Sequence, residues 1–483
     1  MHIPKQADES PALKPLCVDL DGTLTPTDTL WEGCIKLIRS NPIYLFLMVL
    51  WLISGKAKFK QRVSRQIKID AEILPYSEAF LAYLHEQKAL GRHLCLVTAA
   101  NHDIAEAVAD QLGIFDEVLA SDGKINLSGK NKAKRLVEKY GESGFVYAAN
   151  EFIDFAVWRH AAAAILVNAP KGLKKRLDRY DIAVEGEFAK QEHGVLKNLF
   201  RVMRPHQWAK NSLLFIPLLL AHTQPLSSWI NVILAFIAFS LTASSIYIIN
   251  DLFDMEEDRK HPTKCKRPFA AAVLPIPVGI TIVPLLLMIA ALLAWQVNAL
   301  FVLLLMVYVC LTTAYSIKLK LHALLDVFTL AVLYSLRIIA GVVAANIVVS
   351  HWLLAFSVFF FLNLAFAKRY SELHNLAEAG DLLASTRGYV VRDLPIISLF
   401  GVTSSYLSIM VMIMYINDLQ ANIAYREPLW LWCISIVLLY WVSRIWLHAY
   451  RGKMDEDPVL FALQDRMSYI SFSLIAVSFW LAL

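Results

Sequence analysis

The stretch Asn250 to Pro268, "NDLFDMEEDRKHPTKCKRP", packs carboxylates and cations between two strongly apolar segments, near 229–249 and 273–294. Charged side chains at a bilayer boundary are costly and are usually there to do a job. Asn250, Asp254 and Asp258 follow one another at i, i+4 and i+8, with Asp251 alongside. On a helix these side chains share one broad face. Carboxylates gathered in this way repel one another unless something positive lies between them. Magnesium bridged to phosphate oxygens answers that need, because it takes oxygen ligands and gives up its waters reluctantly. Lys264, Lys266 and Arg267 follow closely enough to complete a diphosphate clamp. The bland alternative is a solvated cytoplasmic loop, but spacing of this kind at a helix end favours a site.

Working outward, the 483-residue chain is 57% hydrophobic, with a mean hydropathy of +0.50, too apolar for a soluble protein of this size. Apolar segments fall near 212–223, 229–249, 273–294, 299–315, 323–345, 351–366, 394–416, 428–447 and 468–483. Set against the ~20 residues that cross a bilayer, they predict an all-α polytopic membrane domain of about nine helices. The loops near 222–228, 295–298 and 346–350 hold no Lys or Arg, and the one near 417–427 holds only Arg426. The alternate loops carry Arg259, Lys260, Lys264, Lys266 and Arg267, then Lys318 and Lys320, then Lys368, Arg369, Arg387 and Arg392, then Arg451, Lys453 and Arg466. The positive-inside rule puts these basic loops in the cytoplasm. The opening "MHIPKQADESPALKP" has no apolar core of a signal peptide, so the N-terminal region is expected on that same side, at the inner membrane. Topology accounts for the net charge of +5, which therefore does not point to nucleic acid. The six cysteines show no paired or ligand-like spacing and read as isolated thiols.

The pattern NDxxDxxxDxxHPxKxxRP resembles the first motif of the UbiA superfamily of intramembrane prenyltransferases. The resemblance covers about 197–483, with the membrane domain at 201–483, and implies a nine-helix fold, with Asn250, Asp251, Asp254 and Asp258 holding magnesium and the donor's diphosphate beside Lys264 and Arg267. "YSIKLK" is similar to the family's Tyr-Pro-x-x-Lys-Arg segment, with Ser316 in place of proline, and offers Tyr315 and Lys318. Where most members carry a second Asp-x-x-x-Asp pair, this chain has "AFAKRYSELHN", with Lys368, Arg369 and Glu372. Two cations and one carboxylate suit a second anionic group better than a second magnesium. "RVMRPHQWAKNSLLFIPLLLA", with Arg204, Trp208, Lys210 and Asn211, is similar to the entrance motif of the decaprenyl-phosphate phosphoribosyltransferase branch. That likeness implies 5-phosphoribosyl diphosphate as donor and a polyprenyl phosphate as acceptor. Arg204, Trp208 and Lys210 read equally as interfacial anchors. Arg337, inside a span, is expected to face the cavity rather than lipid.

Ahead of the membrane half, "LCVDLDGTLTPTDTL" is an apolar strand ending in Asp19-x-Asp21-Gly22-Thr23. It resembles the first motif of the haloacid dehalogenase (HAD) phosphatases and implies an α/β, Rossmann-like domain over 12–185 with a helical cap at about 27–92. Residues 186–200 form a linker. Asp19 is then the nucleophile that takes the phosphoryl group, and Asp21 the acid that protonates the leaving oxygen and later activates water. "GRHLCLVTAA" places Thr98 at a strand end to hold the phosphate, and "GKNKAKRL" offers Lys130 or, preferred as the start of a helix, Lys132. The implied magnesium set is Asp19 and Asp21 with Asn150 and Asp154 of "FVYAANEFIDFAVWRHA". Within the cap, "NPIYLFLMVLWLISG" reads either as a membrane-facing helix or as the buried core of the cap.

The leading expectation is a bifunctional membrane enzyme: a polyprenyl-phosphate phosphoribosyltransferase joined to a phosphatase acting on its lipid product. A prenyltransferase with an aromatic acceptor is the alternative, and it calls for the second Asp pair that is missing. A lipid-binding or transport protein with a regulatory HAD domain is the third, and it predicts paired helix breaks that do not occur here.

Overall fold

The structure, a computed structural model, describes residues 13–122, 125–189, 194–221, 224–348, 350–378, 385–418, 425–454 and 458–483. The chain forms two compact units that do not follow chain order. One holds the described residues up to Val202 together with Ile248–Ile282, and the other holds Met203–Tyr247 with Val283–Leu483.

In the first unit, strands β1 (Leu16–Val18), β2 (Leu94–Asn101), β3 (Glu117–Ser121), β4 (Val146–Ala149), β5 (Ala163–Val167) and β6 (Val184–Phe188) make one sheet. Their order is β3-β2-β1-β4-β5-β6, and every pairing is parallel. β1, β2 and β4 are buried on both faces, which is why they read as short continuous apolar runs. The order of winding reverses between β1 and β4, so the crevice at their carboxyl ends is the natural ligand site.

Between β1 and β2 lie α1 (Thr29–Ser40), α2 (Tyr44–Ile53), α3 (Lys56–Gln66) and α4 (Glu78–Ala89), and α5 (His102–Leu112) follows β2. Asp28 caps α1 by accepting from the backbone of Leu30 and Trp31. Cys34, Leu37, Met48, Phe59 and Val63 form a small core of their own. Leu74, Phe80 and Leu84, by contrast, pack into the core under the sheet. The separate cap core thus rests on α1 to α3, and α4 is a sheet-covering helix. On α2 only Met48 is buried, while Phe46 is 74% and Ile53 81% exposed. Of the two readings of this helix, burial within the cap is not what the structure shows.

The second unit is helical. Among the described residues, seven helices are long and apolar enough to cross a membrane: Leu226–Phe253, Ile276–Val297, Ala299–Ile317, Leu325–Ala345, His351–Glu378, Val391–Ile416 and Trp430–Tyr450. The first and second of these run on into the other unit. This is a multi-pass membrane protein, and seven of the nine expected segments form helices of full spanning length among the described residues. The segment expected at 212–223 is a 3₁₀ run, Pro205–Phe215, followed by the five-residue helix Ile216–Leu220. Arg204, in the left-handed region at φ 52°, and Pro205 precede this run, whose first half is polar at Gln207, Lys210 and Asn211. The last segment forms Arg466–Ala482, an apolar helix of 17 residues, at the lower edge of spanning length.

Helix Leu325–Ala345 passes against the 3₁₀ run so closely that a Cβ on Gly341 would lie 2.1 Å from the Leu214 carbonyl oxygen. Backbone cannot yield as a side chain can. Gly341→Ala is therefore expected to destabilise the membrane unit by about 1–3 kcal/mol, seen as a lower Tm in detergent. An unchanged Tm would show that the two segments separate freely.

Candidate active sites

The first site lies at the carboxyl ends of β1, β2 and β4. Asp19 follows β1, and its backbone N–H donates to the Ala148 carbonyl (3.0 Å), so the sheet itself fixes its place. Lys132, in the first turn of helix α6 (Lys130–Tyr140), donates to Asp19 Oδ1 at 2.9 Å and to the Tyr147 hydroxyl at 2.7 Å. Its ammonium also stands 3.8 Å from Asp154 Oδ1. Tyr147 in turn donates to Asp154 Oδ1 at 3.0 Å, and Asp154 Oδ2 accepts from the Glu151 backbone. Burial works against the charge on Lys132, but Asp19 and Asp154 outweigh it and hold its pKa above the ordinary value. Lys132 is thus the lysine that reaches Asp19, which answers the choice between it and Lys130.

Gly22 has φ 76°, and a Cβ there would lie 2.2 Å from Asn150 Nδ2. Only glycine lets Asn150 lie against this loop, where Thr23 donates to Asn150 Oδ1 at 3.2 Å. Thr98 is fully buried on β2 and accepts from the Ala100 backbone at 2.9 Å. Asp21 Oδ1 accepts from the Thr29 backbone at 2.9 Å. Burial, and next the Asp28 carboxylate, push the pKa of Asp21 up to about 7, against the pull of the Thr29 hydrogen bonds. Sequence reasoning missed Tyr147, whose hydroxyl ties Lys132 to Asp154. It also missed Lys60 of α3, which donates to the Ala99 carbonyl at 2.8 Å and feels the Asp21, Asp28 and Asp19 carboxylates. An aromatic strand residue and a cap lysine carry no local signal that would have flagged them.

The second group of carboxylates lies in the same unit. Asn250 and Asp251 end the helix Leu226–Phe253, and Asp254 opens the helix Met255–Lys260. The Asp254 N–H donates to the Asn250 carbonyl (2.9 Å) and the Asp258 N–H to the Asp254 carbonyl (2.8 Å). The i, i+4, i+8 stacking therefore persists across the junction. Arg267 places one nitrogen 3.3 Å from Asp251 and 2.7 Å from Asp258, both nearly buried. Burial raises the pKa of Asp258, with Arg267 pulling the other way. Lys264 lies exposed in the short turn Lys264–Lys266.

In the helical unit, Arg337 donates to Asn211 Oδ1 (2.9 Å), to the Leu333 carbonyl (2.6 Å) and to the Tyr308 hydroxyl (3.4 Å). Its guanidinium lies 5.2 to 5.5 Å from the ring centres of Phe239, Tyr308 and Tyr334. It is buried among protein groups, as a charge inside a span requires. Asn211 also donates to Ser240. Lys210 lies over the Tyr334 ring and Arg204 over the Tyr247 ring, and Trp208 donates to Ser244. Arg369 is fully buried against Asp326 at 2.5 Å and is paired with Glu372 as well. Tyr389 donates to Asp326 at 2.6 Å. Arg387 lies 3.8 Å from Glu372 and donates to the Tyr315 hydroxyl at 3.0 Å. Arg369 and Glu372 thus belong to one internal network, while Lys318 is exposed and Lys368 half-buried. Asp326, Arg387 and Tyr389 were not singled out, although a carboxylate inside an apolar segment is itself a signal.

All the candidate metal donors are oxygens, the set that magnesium takes. Among the described residues no three His, Cys, Asp or Glu side chains gather into a metal-sized cluster. Lys132 and Arg267 are the cations that hold the carboxylates together.

A parallel sheet with an Asp-x-Asp turn at the carboxyl end of β1, on a chain that also carries membrane-length helices, defines an α/β domain joined to a helical membrane domain. Residues 16–150 match the haloacid dehalogenase-like hydrolases, and residues 212–472 match the UbiA prenyltransferase family. The chain belongs to the UbiA prenyltransferase family and carries a haloacid dehalogenase-like domain ahead of it. It is 34% identical over 471 residues to the uncharacterised protein y4nM of Sinorhizobium fredii, covering 97% of this chain and 91% of that one. It is 34% identical over 269 residues to the nodulation protein NoeC of Azorhizobium caulinodans, 55% of this chain and 87% of that one. The decaprenyl-phosphate phosphoribosyltransferase of Mycolicibacterium smegmatis is 37% identical over 222 residues, 44% of this chain and 65% of that protein.

A group that donates a proton must first hold it. With its pKa near 7, Asp21 is expected to make hydrolysis of an ester with a poor leaving group fall as pH rises through about 7. An activated ester, whose leaving group needs no proton, should escape that fall. A profile for the poor leaving group that stays flat across this range would remove Asp21 from the acid role.

Proposed function

We propose that the helical half transfers 5-phosphoribose from phosphoribosyl diphosphate to a polyprenyl phosphate, and that the hydrolase domain removes the 5-phosphate from the lipid product. The observation that carries this reading is one stacked Asn/Asp motif in a chain whose segment "AFAKRYSELHN" lacks the second Asp pair that an ordinary prenyl-diphosphate enzyme has there. Similarity to the phosphoribosyltransferases of the mycobacterial group supports it.

A phosphate oxygen of the acceptor attacks the anomeric carbon of the donor's ribose, and the bond from that carbon to the diphosphate breaks. Negative charge builds on the leaving diphosphate. Asn250, Asp254 and Asp258 would hold magnesium, which supplies positive charge to those oxygens. Arg267, already between Asp251 and Asp258, and Lys264 add cations on the same segment. Lys210, Arg204 and Lys368 are the cations assigned to the acceptor phosphate and the ribose 5-phosphate, with Tyr315 and Lys318 at the next loop. Arg337 and Asn211 brace the segment that carries Lys210. Arg369 and Glu372 act inside the protein, through their network with Asp326.

In the hydrolase domain Asp19 takes the phosphoryl group, Asp21 gives its proton to the departing oxygen, and Thr98 and Lys132 hold the phosphate. Magnesium would be held by Asp19 and Asp154, with Asn150 and the Asp21 position completing the site. We place both sites on the cytoplasmic side of the inner membrane, following the basic loops. The exposed apolar helix α2 would lie at the bilayer surface and bring lipid-borne phosphate to the crevice. Two sites on one chain see each other's product at an effective concentration of roughly millimolar.

Purified protein given magnesium, labelled phosphoribosyl diphosphate and polyprenyl phosphate is expected to move label into the lipid phase. Asp254→Asn should lower that transfer by about a hundredfold or more while the Tm holds. Near-normal transfer in this variant would remove Asp254 from the diphosphate site.

The relay has its own test in the lipid made by wild type and by Asp19→Asn. The variant is expected to accumulate the 5-phosphorylated lipid and the wild type the dephosphorylated one. The same lipid from both would sink the relay and leave a soluble phosphate ester as the hydrolase substrate.

A further inference from the structure

Helix α1 is engaged at both ends. At its N-terminus the Thr29 backbone holds Asp21 of the hydrolase site. Further along, it meets the segment that carries the transferase carboxylates. Glu32 receives a two-pronged ion pair from Arg259, at 2.9 and 2.6 Å, and the two side chains are only 6% and 7% exposed. Lys36 lies 2.7 Å from Glu256. Arg39 lies 2.5 Å from Glu257 and 3.7 Å from Asp254, and it donates to the Phe253 carbonyl at 2.7 Å. Beyond the cap helices, Asp70 stands 3.6 Å from Lys260.

Residues 32, 36 and 39 lie on one face of α1. The charges they present, with Asp70, run negative, positive, positive, negative. Arg259, Glu256, Glu257 and Lys260 answer with the opposite sign at every position. Single exposed ion pairs are weak and common on protein surfaces, but this set has a different make-up. Glu32 and Arg259 are buried, and a buried, two-pronged pair accepts only one register of its partners. Arg39 satisfies a carbonyl at the end of the spanning helix, where no intrahelical donor remains and a cation suits the helix dipole.

We propose that Glu32, Lys36 and Arg39 of the hydrolase cap are positioning residues for the transferase, setting the orientation of helix Met255–Lys260 and so of Asp254 and Asp258. The inference rests on the reading of those two carboxylates as part of the diphosphate site. It gives the fused domain a second task, independent of its own catalysis. It also places the two sites at the ends of one rigid element, since twelve helical residues span about 18 Å.

The test uses the full chain in lipid nanodiscs, as Lys36→Glu, Glu256→Lys, the double swap, and Arg39→Met. Three quantities are read: transfer rate at saturating donor, the magnesium concentration for half-maximal transfer, and hydrogen exchange over residues 253–260. The mutated pair is partly exposed, and hydrolysis of a soluble phosphate ester checks that each variant is folded. Each single reversal is expected to slow transfer by about ten- to a hundredfold, to raise the magnesium requirement and to speed exchange, with the swap restoring all three. Arg39→Met should raise exchange and the magnesium requirement together. Faster exchange with wild-type transfer and magnesium response would overturn the proposal, as would a loss that the swap leaves unrepaired. If wild type itself transfers nothing, the transferase reading fails on its own. The exchange arm then still decides the clamp, and unchanged exchange overturns it.

Discussion

Carboxylates crowded out of water repel one another strongly, and the first unit is organised around two places where a single cation resolves that repulsion. Lys132 stands between Asp19 and Asp154, and Arg267 between Asp251 and Asp258. The sheet, the Gly22 turn and helix α6 bring the first cluster together; the helix junction at Asp254 brings the second. Removing either cation would leave buried charge uncompensated, which is more damaging than never having buried it. A phosphate-handling site needs this balance. Enough positive charge must be present to admit an anion, and enough negative charge to hold a metal against it.

Much of this was legible in the sequence because the chemistry is local. The Asp19-x-Asp21-Gly22-Thr23 turn and the 250/254/258 spacing each fit within one or two turns of backbone, so their geometry follows from helical and strand periodicity. Strands β1, β2 and β4 were legible by the same logic, as apolar runs leading to Asp19, Thr98 and Asn150. What was not legible depends on partners far apart in the chain. Arg369 read as a ligand for an anion because its partner Asp326 lies in a different helix, and Tyr389 in a third segment. The choice between Lys130 and Lys132 turned on which face of α6 meets the sheet. The segment expected at 212–223 does not form one long helix, because a 3₁₀ run ends at Phe215 and only the short helix Ile216–Leu220 follows it.

Helix α2 shows the opposite limit. Its ten residues are apolar on every side, so periodicity could not say which face would be buried. The cap core takes only Met48 from it, leaving an apolar surface beside the basic residues of α3, Lys58, Arg62 and Arg65. An apolar helix next to a basic one matches a bilayer surface, where tails accept the first and headgroups the second.

The contacts of α1 change the sense in which the two activities share a chain. A flexible tether would raise the encounter rate of two independent enzymes and nothing more. Here the segment 248–282 packs with the N-terminal domain as one compact unit, so the segment that carries Asp254 and Asp258 is held partly by cap helix α1. The ion pairs of α1 dock the loop between the first two long spans onto that cap. The same ion pairs hold that loop in the conformation that stacks Asn250, Asp254 and Asp258. Fusion then follows from folding as well as from catalysis: the acidic motif gains its order from a domain that lies two hundred residues earlier in sequence.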